Sequence, residues 1–157
     1  YSYQQAILDG NIDTLGDGIF HTKGKTFINT PHNSGYVRVG YDNGGLFWAN
    51  LDAKYRGPVW GDWSNTEQAG GYTVFDLDAG VRFPNLSSWF LKPYIKLNIF
   101  NLADRRALAN ANNIGAFLAS NPTGIRDKNG IKLFPNLPYY TLLEDRTFMV
   151  TFGASFF

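Results

Sequence analysis

Two tryptophans stand among polar side chains in residues 57–71, and this combination is the clearest candidate for ligand recognition. Trp60, Asp62, Trp63 and Asn65 follow one another closely in a stretch bounded by glycines. Indole rings can stack on a sugar ring while carboxylate and amide groups hydrogen-bond its hydroxyls. The alternative is that the tryptophans anchor a membrane interface or pack against neighbouring loops. The sequence leaves both interpretations open.

A second polar set opens the long segment 102–145. Two adjacent cationic side chains could attract an anionic ligand, and three amides could hydrogen-bond it. The alanines between them permit a short helix. The side chains are Arg105, Arg106, Asn110, Asn112 and Asn113.

The sequence offers few groups with catalytic spacing. Asp76 and Asp78 would project to one face of a strand about 7 Å apart, as a two-carboxylate hydrolase requires. Neutralisation by Arg82 or nearby lysines explains them more simply. His21 and His32 lie in loop-like sequence, and we interpret them as solvated polar residues rather than metal ligands. With no nucleophile elbow, phosphate loop or zinc motif, we expect no enzyme, no metal and no cofactor.

Composition narrows the class of protein further. The 157 residues include no cysteine, which excludes a disulfide scaffold, and the net charge of +1 argues against a nucleic-acid partner. No apolar run approaches the roughly 18 residues that a membrane helix needs, so membrane crossing would require strands. The start of the chain lacks the features of a signal peptide. We therefore expect either that one was removed or that the chain is a fragment.

Five segments predict β-strands, at residues 34–42, 46–56, 72–83, 90–101 and 146–157. Apolar and polar residues alternate along them: Phe75, Leu77 and Ala79 share one face, whereas Asp76 and Asp78 share the other. Globular strands usually have five or six residues, while a tilted strand needs about nine to eleven to cross a bilayer. The lengths favour a membrane β-barrel.

The connections between these strands are alternately short and long. In outer-membrane barrels short turns face the periplasm and long loops face outside, so 57–71 and 102–145 are predicted to lie outside. Five strands cannot close a barrel, since known bacterial barrels begin at eight. Residues 1–32 are interpreted as an extracellular loop or the end of a preceding strand, and 33–157 as strands of an incomplete barrel. The alternatives are a soluble β-sandwich that binds carbohydrate and the end of a passive porin.

Four segments carry a resemblance to a known family. They are NSGYVRVGYDNGGLFWANLDAKYRG, GGYTVFDLDAGVRF, LKPYIKLNIFNLADRRAL and the ending RTFMVTFGASFF. In order and spacing they are similar to the carboxy-terminal strands of TonB-dependent outer-membrane receptors. The resemblance implies an all-β antiparallel meander that forms the last five or so strands of a 22-stranded barrel in the bacterial outer membrane.

The resemblance also implies partners and a mechanism. Such receptors take up siderophore-bound iron, cobalamin, haem or oligosaccharide when the TonB complex pulls on a plug inside the barrel. The implied partners are outer-membrane lipid, the rest of the barrel and plug, the TonB complex through that missing plug, and a small extracellular ligand. In this family Arg105 and Arg106 fall in a motif that is more often structural. A terminal aromatic serves as the membrane-insertion signal, here Phe156 or Phe157, with Phe156 favoured because it continues the apolar face.

Overall fold

The structure is a computed structural model that describes residues 1–13, 19–85, 87, 89–112 and 139–156. Within these residues it contains twelve β-strands and no helix. In chain order they are β1 (Ser2–Tyr3), β2 (Ile12–Asp13), β3 (Ile19–Phe20), β4 (Asn33–Asp42), β5 (Phe47–Arg56), β6 (Val59–Trp60), β7 (Gln68–Ala69), β8 (Tyr72–Arg82), β9 (Phe90–Phe100), β10 (Leu108–Asn112), β11 (Tyr139–Leu142) and β12 (Thr147–Phe156).

The chain divides into two units. The loop unit comprises Tyr1–Ser34, Arg56–Tyr72 and Ala107–Leu143. The wall unit comprises Gly35–Tyr55, Thr73–Arg106 and Glu144–Phe157. Each unit is therefore built from three separate stretches of sequence, and each is described below by itself.

The wall unit is the predicted antiparallel meander. Strands β4, β5, β8, β9 and β12 are consecutive neighbours in one sheet. Each begins and ends within one residue of its predicted bounds. This arrangement does not match the β-sandwich alternative, in which the long strands would be divided between two sheets packed face to face.

The two faces of this sheet differ as the alternation predicts. On β12 the side chains of Phe148, Val150 and Phe152 are 61%, 55% and 73% exposed. On β9 the opposite face carries Asn98, which is buried. In a soluble protein the apolar face of a sheet is covered and the polar face is exposed. The opposite arrangement is observed here, and it is typical of a barrel wall.

The short connection between β4 and β5 is a tight turn. Asp42 accepts a hydrogen bond from the Gly44 N–H at 2.9 Å, and Asn43 accepts from the N–H groups of Gly45 at 3.0 Å and Phe47 at 3.1 Å. Gly44 has φ 72°, a conformation that glycine adopts without steric cost. The first of the short connections that the sequence predicts is therefore a hydrogen-bonded turn.

The loop unit contains short strand pairs instead of the open loops that the sequence suggested. Strand β1 pairs with the first residues of β4, β2 pairs with β3, β6 with β7, and β10 with β11. A small core of Val59, Ala69 and Ala111, with Leu108 against it, holds β6, β7 and β10 together. In the described part of the chain, no helix has the length and apolar character needed to span a membrane.

The short helix that the alanines near residue 108 would permit does not form in the described part of that stretch. Residues Leu108–Asn112 form β10, which pairs antiparallel with β11 from Leu108↔Leu142 to Asn112↔Tyr139. Alanine's helix preference is less than about 1 kcal/mol per residue, so a paired strand that satisfies backbone groups outweighs it. Small alanine side chains also allow close packing, as Ala111 shows below.

Candidate functional site

The hairpin formed by β6 and β7 contains all four candidates from residues 57–71. Asp62 sits at its turn and is only 1% exposed. Its carboxylate accepts hydrogen bonds from the N–H of Ser64 at 3.1 Å, of Thr66 at 2.8 Å and of Glu67 at 2.7 Å. It also accepts one from the Thr66 hydroxyl at 2.9 Å. The carboxylate therefore shapes the turn, and little of it is left accessible.

Asn65 connects this turn to the segment before β4 through side-chain hydrogen bonds. Its side-chain oxygen accepts from the Thr26 N–H at 2.7 Å, and its amide donates to the carbonyls of Thr26 at 2.9 Å and Asp62 at 3.2 Å. Its φ is 55°, which asparagine tolerates better than most residues. Like Asp62, Asn65 is occupied by internal hydrogen bonds.

The two tryptophans of this group are less deeply buried than Asp62. Trp63 is half-buried and meets Phe27 edge to face, with ring centroids 5.0 Å apart. Trp60 is also half-buried, and its carbonyl accepts from the Asn29 N–H at 2.7 Å. Phe27 and Trp63 thus form an aromatic pair beside the turn, which the sequence did not indicate because residues 27 and 63 are far apart in the chain.

Arg56 is a central residue of the loop unit that sequence reasoning missed. Its guanidinium donates to the carbonyl of Ala109, to the side-chain oxygen of Asn110 at 2.9 Å and to the carbonyl of Asn29 at 3.3 Å. The predicted candidate Asn110 therefore lies against Arg56. One available signal was the position of Arg56 at the end of a strand, immediately before a long connection.

The remaining candidates belong to other elements of the chain. Asn112 ends β10 opposite Tyr139, and Asn113 lies outside the described residues. Arg105 and Arg106 are exposed in the wall unit. The Arg105 backbone is held by Asn101, which accepts from its N–H at 2.8 Å and donates to its carbonyl at 3.0 Å. This turn leaves both cationic side chains open to solvent.

Tyr140 joins β11 to the hairpin by donating a hydrogen bond from its hydroxyl to the Glu67 carboxylate. The hydrogen bond raises the pKa of Tyr140 because it stabilises the protonated phenol. The contribution of this contact to stability is therefore complete at neutral pH and is lost only as the pH rises through the raised pKa.

The polar face of the wall carries a row of ion pairs. Arg38 binds Asp52 through two hydrogen bonds of 2.6 and 2.7 Å, and Tyr36 donates to the same carboxylate at 2.8 Å. Lys54 pairs with Asp76 at 2.6 Å. Cations and carboxylates thus face each other across neighbouring strands, and such cross-strand pairs of opposite charge stabilise a sheet.

The predicted neutralisation of Asp76 and Asp78 is correct only in part. Asp76 is neutralised by Lys54, whereas Asp78 accepts a hydrogen bond from the Asn50 amide. Arg82 pairs with Asp42 instead, through hydrogen bonds of 2.7 and 2.8 Å, and its guanidinium lies 4.4 Å from the centre of the Trp48 ring. Asp42 lies at the end of β4, which the sequence pattern did not connect with Arg82.

The two histidines are separate polar residues of the loop unit. His21 is exposed, while His32 is hydrogen-bonded to the Thr26 hydroxyl at 3.3 Å and lies edge-on to Tyr3. Within the described ranges, no group of three or more histidine, cysteine or acidic residues is arranged to hold a metal ion.

The terminal aromatics were predicted as an insertion signal. The backbone of Phe156 pairs with Phe90 at the end of β12, while Phe157 lies outside the described residues. The β9–β12 pairing has an irregularity near this end, between Gly153 and Ser155.

Comparison with known proteins agrees with this fold and assigns the family. The profile described as TonB dependent receptor-like, beta-barrel matches residues 1–114. The chain therefore belongs to the β-barrel family of TonB-dependent receptors, as its motifs predicted. None of the curated proteins matches the chain.

Among solved structures, the fold is similar to that of the siderophore receptor PiuA from Acinetobacter baumannii. The TM-score is 0.60 at 21% sequence identity, and the match covers 94% of this chain. It covers 17% of the PiuA chain, so the present chain spans less than a fifth of that protein's length. At this identity the likeness establishes the fold.

Proposed function

We propose that this chain forms the carboxy-terminal wall and outer loops of a bacterial outer-membrane receptor for active uptake of a scarce nutrient. The observation that carries the proposal is the sheet of five long strands, open on its apolar face and ion-paired on its polar face, in a chain of this family. The missing barrel strands, the plug and TonB would be its partners, with outer-membrane lipid around the wall.

The strand lengths support membrane crossing. Strands β4, β5 and β12 have 10 residues each, and β8 and β9 have 11. A tilted transmembrane strand needs about nine to eleven residues. The exposed row Phe148, Val150 and Phe152 would then contact lipid, and the ion-paired row would face the barrel interior. The short turn at Gly44 would lie on the periplasmic side, with Phe156 or Phe157 as the insertion signal.

The loop unit is the proposed site of ligand recognition. Asp62 and Asn65 hold the hairpin, which leaves Trp60 and Trp63 as the groups best suited to contact a ligand. Asn110, Asn112, Asn113, Arg105 and Arg106 remain further candidates. The cargo would be siderophore-bound iron, cobalamin or an oligosaccharide. The fold match to a protein described as a siderophore receptor favours the first.

The decisive experiment measures uptake by the complete receptor. The full reading frame would be expressed in Gram-negative cells that lack their own receptors, and uptake of labelled ferric siderophores, cobalamin and oligosaccharides would be followed with and without TonB. We expect one cargo class to enter only when TonB is present. Uptake that persists without TonB would indicate a passive pore and overturn the proposal, as would failure to import any of the three classes.

A matched pair of variants tests the hairpin within the same assay. Replacing Trp60 and Trp63 together by alanine should reduce ligand binding to the cell surface by about tenfold or more, since aromatic contacts dominate such sites. Trp89→Ala removes an exposed tryptophan of the wall unit and should leave binding unchanged. Equal binding by both variants would exclude the hairpin as the ligand site.

A further inference from the structure

Arg56 connects the three sequence stretches that make up the loop unit. It is the last residue of β5 and the first residue of the second stretch, and its side chain is half-buried. Its Nη1 donates to the carbonyl of Ala109, and its Nη2 donates to the carbonyl of Asn29 and to the side-chain oxygen of Asn110. Asn29 belongs to the first stretch, and the other two acceptors belong to the third. A single side chain therefore joins segments that lie 27 residues before it and 53 residues after it.

The shape of this contact requires a guanidinium group. The three acceptors are neutral oxygens that are bound by two different nitrogens, and a guanidinium presents five N–H groups in fixed directions. A lysine has one terminal nitrogen, which acts as a point charge and cannot take the place of both. Lysine at residue 56 would therefore keep the charge and lose part of the connection.

Strand β10 is irregular at the residue that Arg56 binds. The register of its pairing with β11 shifts between Leu108 and Asn110, so Ala109 is an extra residue in β10. A bulged residue is left unpaired in the ladder, and its backbone groups need other partners. The Ala109 carbonyl has the guanidinium of Arg56 as its partner. Arg56 thus holds β10 at its bulge.

Asn29 extends the connection from Arg56 to the tryptophans of the hairpin. Its carbonyl accepts from Arg56, and its N–H donates to the carbonyl of Trp60 at 2.7 Å. Two residues earlier in the same segment, the Phe27 ring meets the Trp63 ring. Both tryptophans are therefore in contact with a segment whose last residue is held by Arg56.

We propose that Arg56 is a positioning residue, which holds Trp60, Trp63 and β10 in their ligand-binding arrangement before a ligand arrives. The inference rests on the proposed function, in which these tryptophans contact the ligand. Side chains and loops that are already ordered do not have to be ordered on binding, so the ligand binds more tightly. Arg56 acts through Asn29 and β10, because its hydrogen bonds are made to the protein itself.

The first test follows the tryptophans in the ligand-free receptor. The full-length protein in detergent would carry 5-fluorotryptophan, and the fluorine resonances of Trp60, Trp63 and Trp48 would be assigned by replacing each with phenylalanine. Arg56→Lys should shift or broaden the Trp60 resonance and leave that of Trp48, a residue of the wall unit, in place. Arg146→Lys, at an exposed arginine of the wall unit, should change neither. An unchanged Trp60 resonance in Arg56→Lys would overturn the inference.

The second test measures binding of labelled ferric siderophores, cobalamin and oligosaccharides to cells that carry equal amounts of folded receptor. Arg56→Lys should weaken the affinity for the bound probe about tenfold, since charge-assisted hydrogen bonds are lost, while the number of binding sites stays constant. Equal affinity of Arg56→Lys and the wild type would overturn the inference and leave the proposed function standing. A wild-type receptor that binds none of these probes would instead refute the proposed function, and the inference with it.

Chemical rescue separates positioning from a general role in folding. Arg56→Ala leaves a half-buried space that methylguanidinium can enter, whereas methylammonium lacks the planar fork of N–H groups. We expect about 10 mM methylguanidinium to restore the Trp60 resonance and most of the affinity of Arg56→Ala, and methylammonium to restore neither. Equal effects of the two cations would contradict the role of the guanidinium. Failure of Arg56→Ala to fold, with methylguanidinium or without it, would show that the side chain serves folding of the barrel and would also overturn the inference.

Discussion

Asp62 shows how a residue with a recognition-type side chain can serve the fold instead. A buried carboxylate is costly unless its oxygens are satisfied, and here three N–H groups and one hydroxyl satisfy them. Asn65 is engaged in the same manner with Thr26. The polar residues of the hairpin therefore fix its shape, and the neighbouring tryptophans remain as the groups that we propose for ligand contact.

We expect Asp62→Ala to loosen this turn. The substitution leaves the N–H groups of Ser64, Thr66 and Glu67 without their acceptor in a half-buried turn, at a local cost of about 2–3 kcal/mol. Hydrogen exchange of those amides in the full-length protein should accelerate by about 100-fold. Asp62→Asn keeps one acceptor oxygen and should give a smaller change.

Ser64→Ala is the control for this prediction, because it retains the backbone N–H that Asp62 binds. Exchange rates in Asp62→Ala no faster than those in Ser64→Ala would show that the carboxylate does not hold the turn.

At the scale of elements, the loop unit depends on close approach between strands distant in sequence. A Cβ built on Gly61, next to β6, would lie 2.6 Å from the Cβ and 2.8 Å from the carbonyl carbon of Ala111 in β10. Glycine at residue 61 and alanine at residue 111 thus permit the hairpin and β10 to pack. Arg56 joins the same two regions by hydrogen bonds.

Gly61→Ala should separate the hairpin from β10. The overlap cannot be relieved by a flexible side chain, because the atoms that it meets belong to the backbone and Cβ of Ala111, so we expect a cost of about 1–3 kcal/mol. Hydrogen exchange in Leu108–Asn112 should accelerate. Gly70→Ala is the matched control, since no heavy atom lies within 4 Å of its added Cβ. Equal exchange in the two variants would contradict the packing proposed here.

The difference between strands with a repeating pattern and strands that depend on distant partners explains which elements could be predicted from the sequence. The long strands could be predicted because apolar and polar residues alternate over ten or more residues, as in β8. Successive residues of such a strand face two different environments in turn, so every position adds to the same pattern. The short strands of the loop unit lack this signal. Their formation depends on partners such as Ala111 for Gly61 and Asn110 for Arg56, more than 40 residues away along the chain. For this reason the helix preference of the alanines gave no indication of strand β10.

At the scale of the whole molecule, the wall is one amphipathic sheet with an apolar face and a charged face. The polar face stabilises its charges in pairs, such as Arg38 with Asp52, while the apolar face exposes Phe152 and its neighbours. An exposed apolar surface of this kind is unfavourable in water and favourable in lipid. Adjacent residues of β12 lie on opposite faces of the wall. We therefore expect a charged side chain to be tolerated at one of two neighbouring positions and not at the other.

Val150 and Met149 test this polarity in the complete receptor. Val150 is 55% exposed on the apolar face and lies opposite Leu97, whereas Met149 lies opposite Asn98 on the other face. A lysine on the lipid side of a barrel costs about 2–4 kcal/mol near the bilayer midplane. Val150→Lys should therefore sharply lower the amount of folded receptor recovered from outer membranes, while Met149→Lys should remain close to wild type. Equal recovery, or greater loss in Met149→Lys, would mean that the apolar face does not contact lipid.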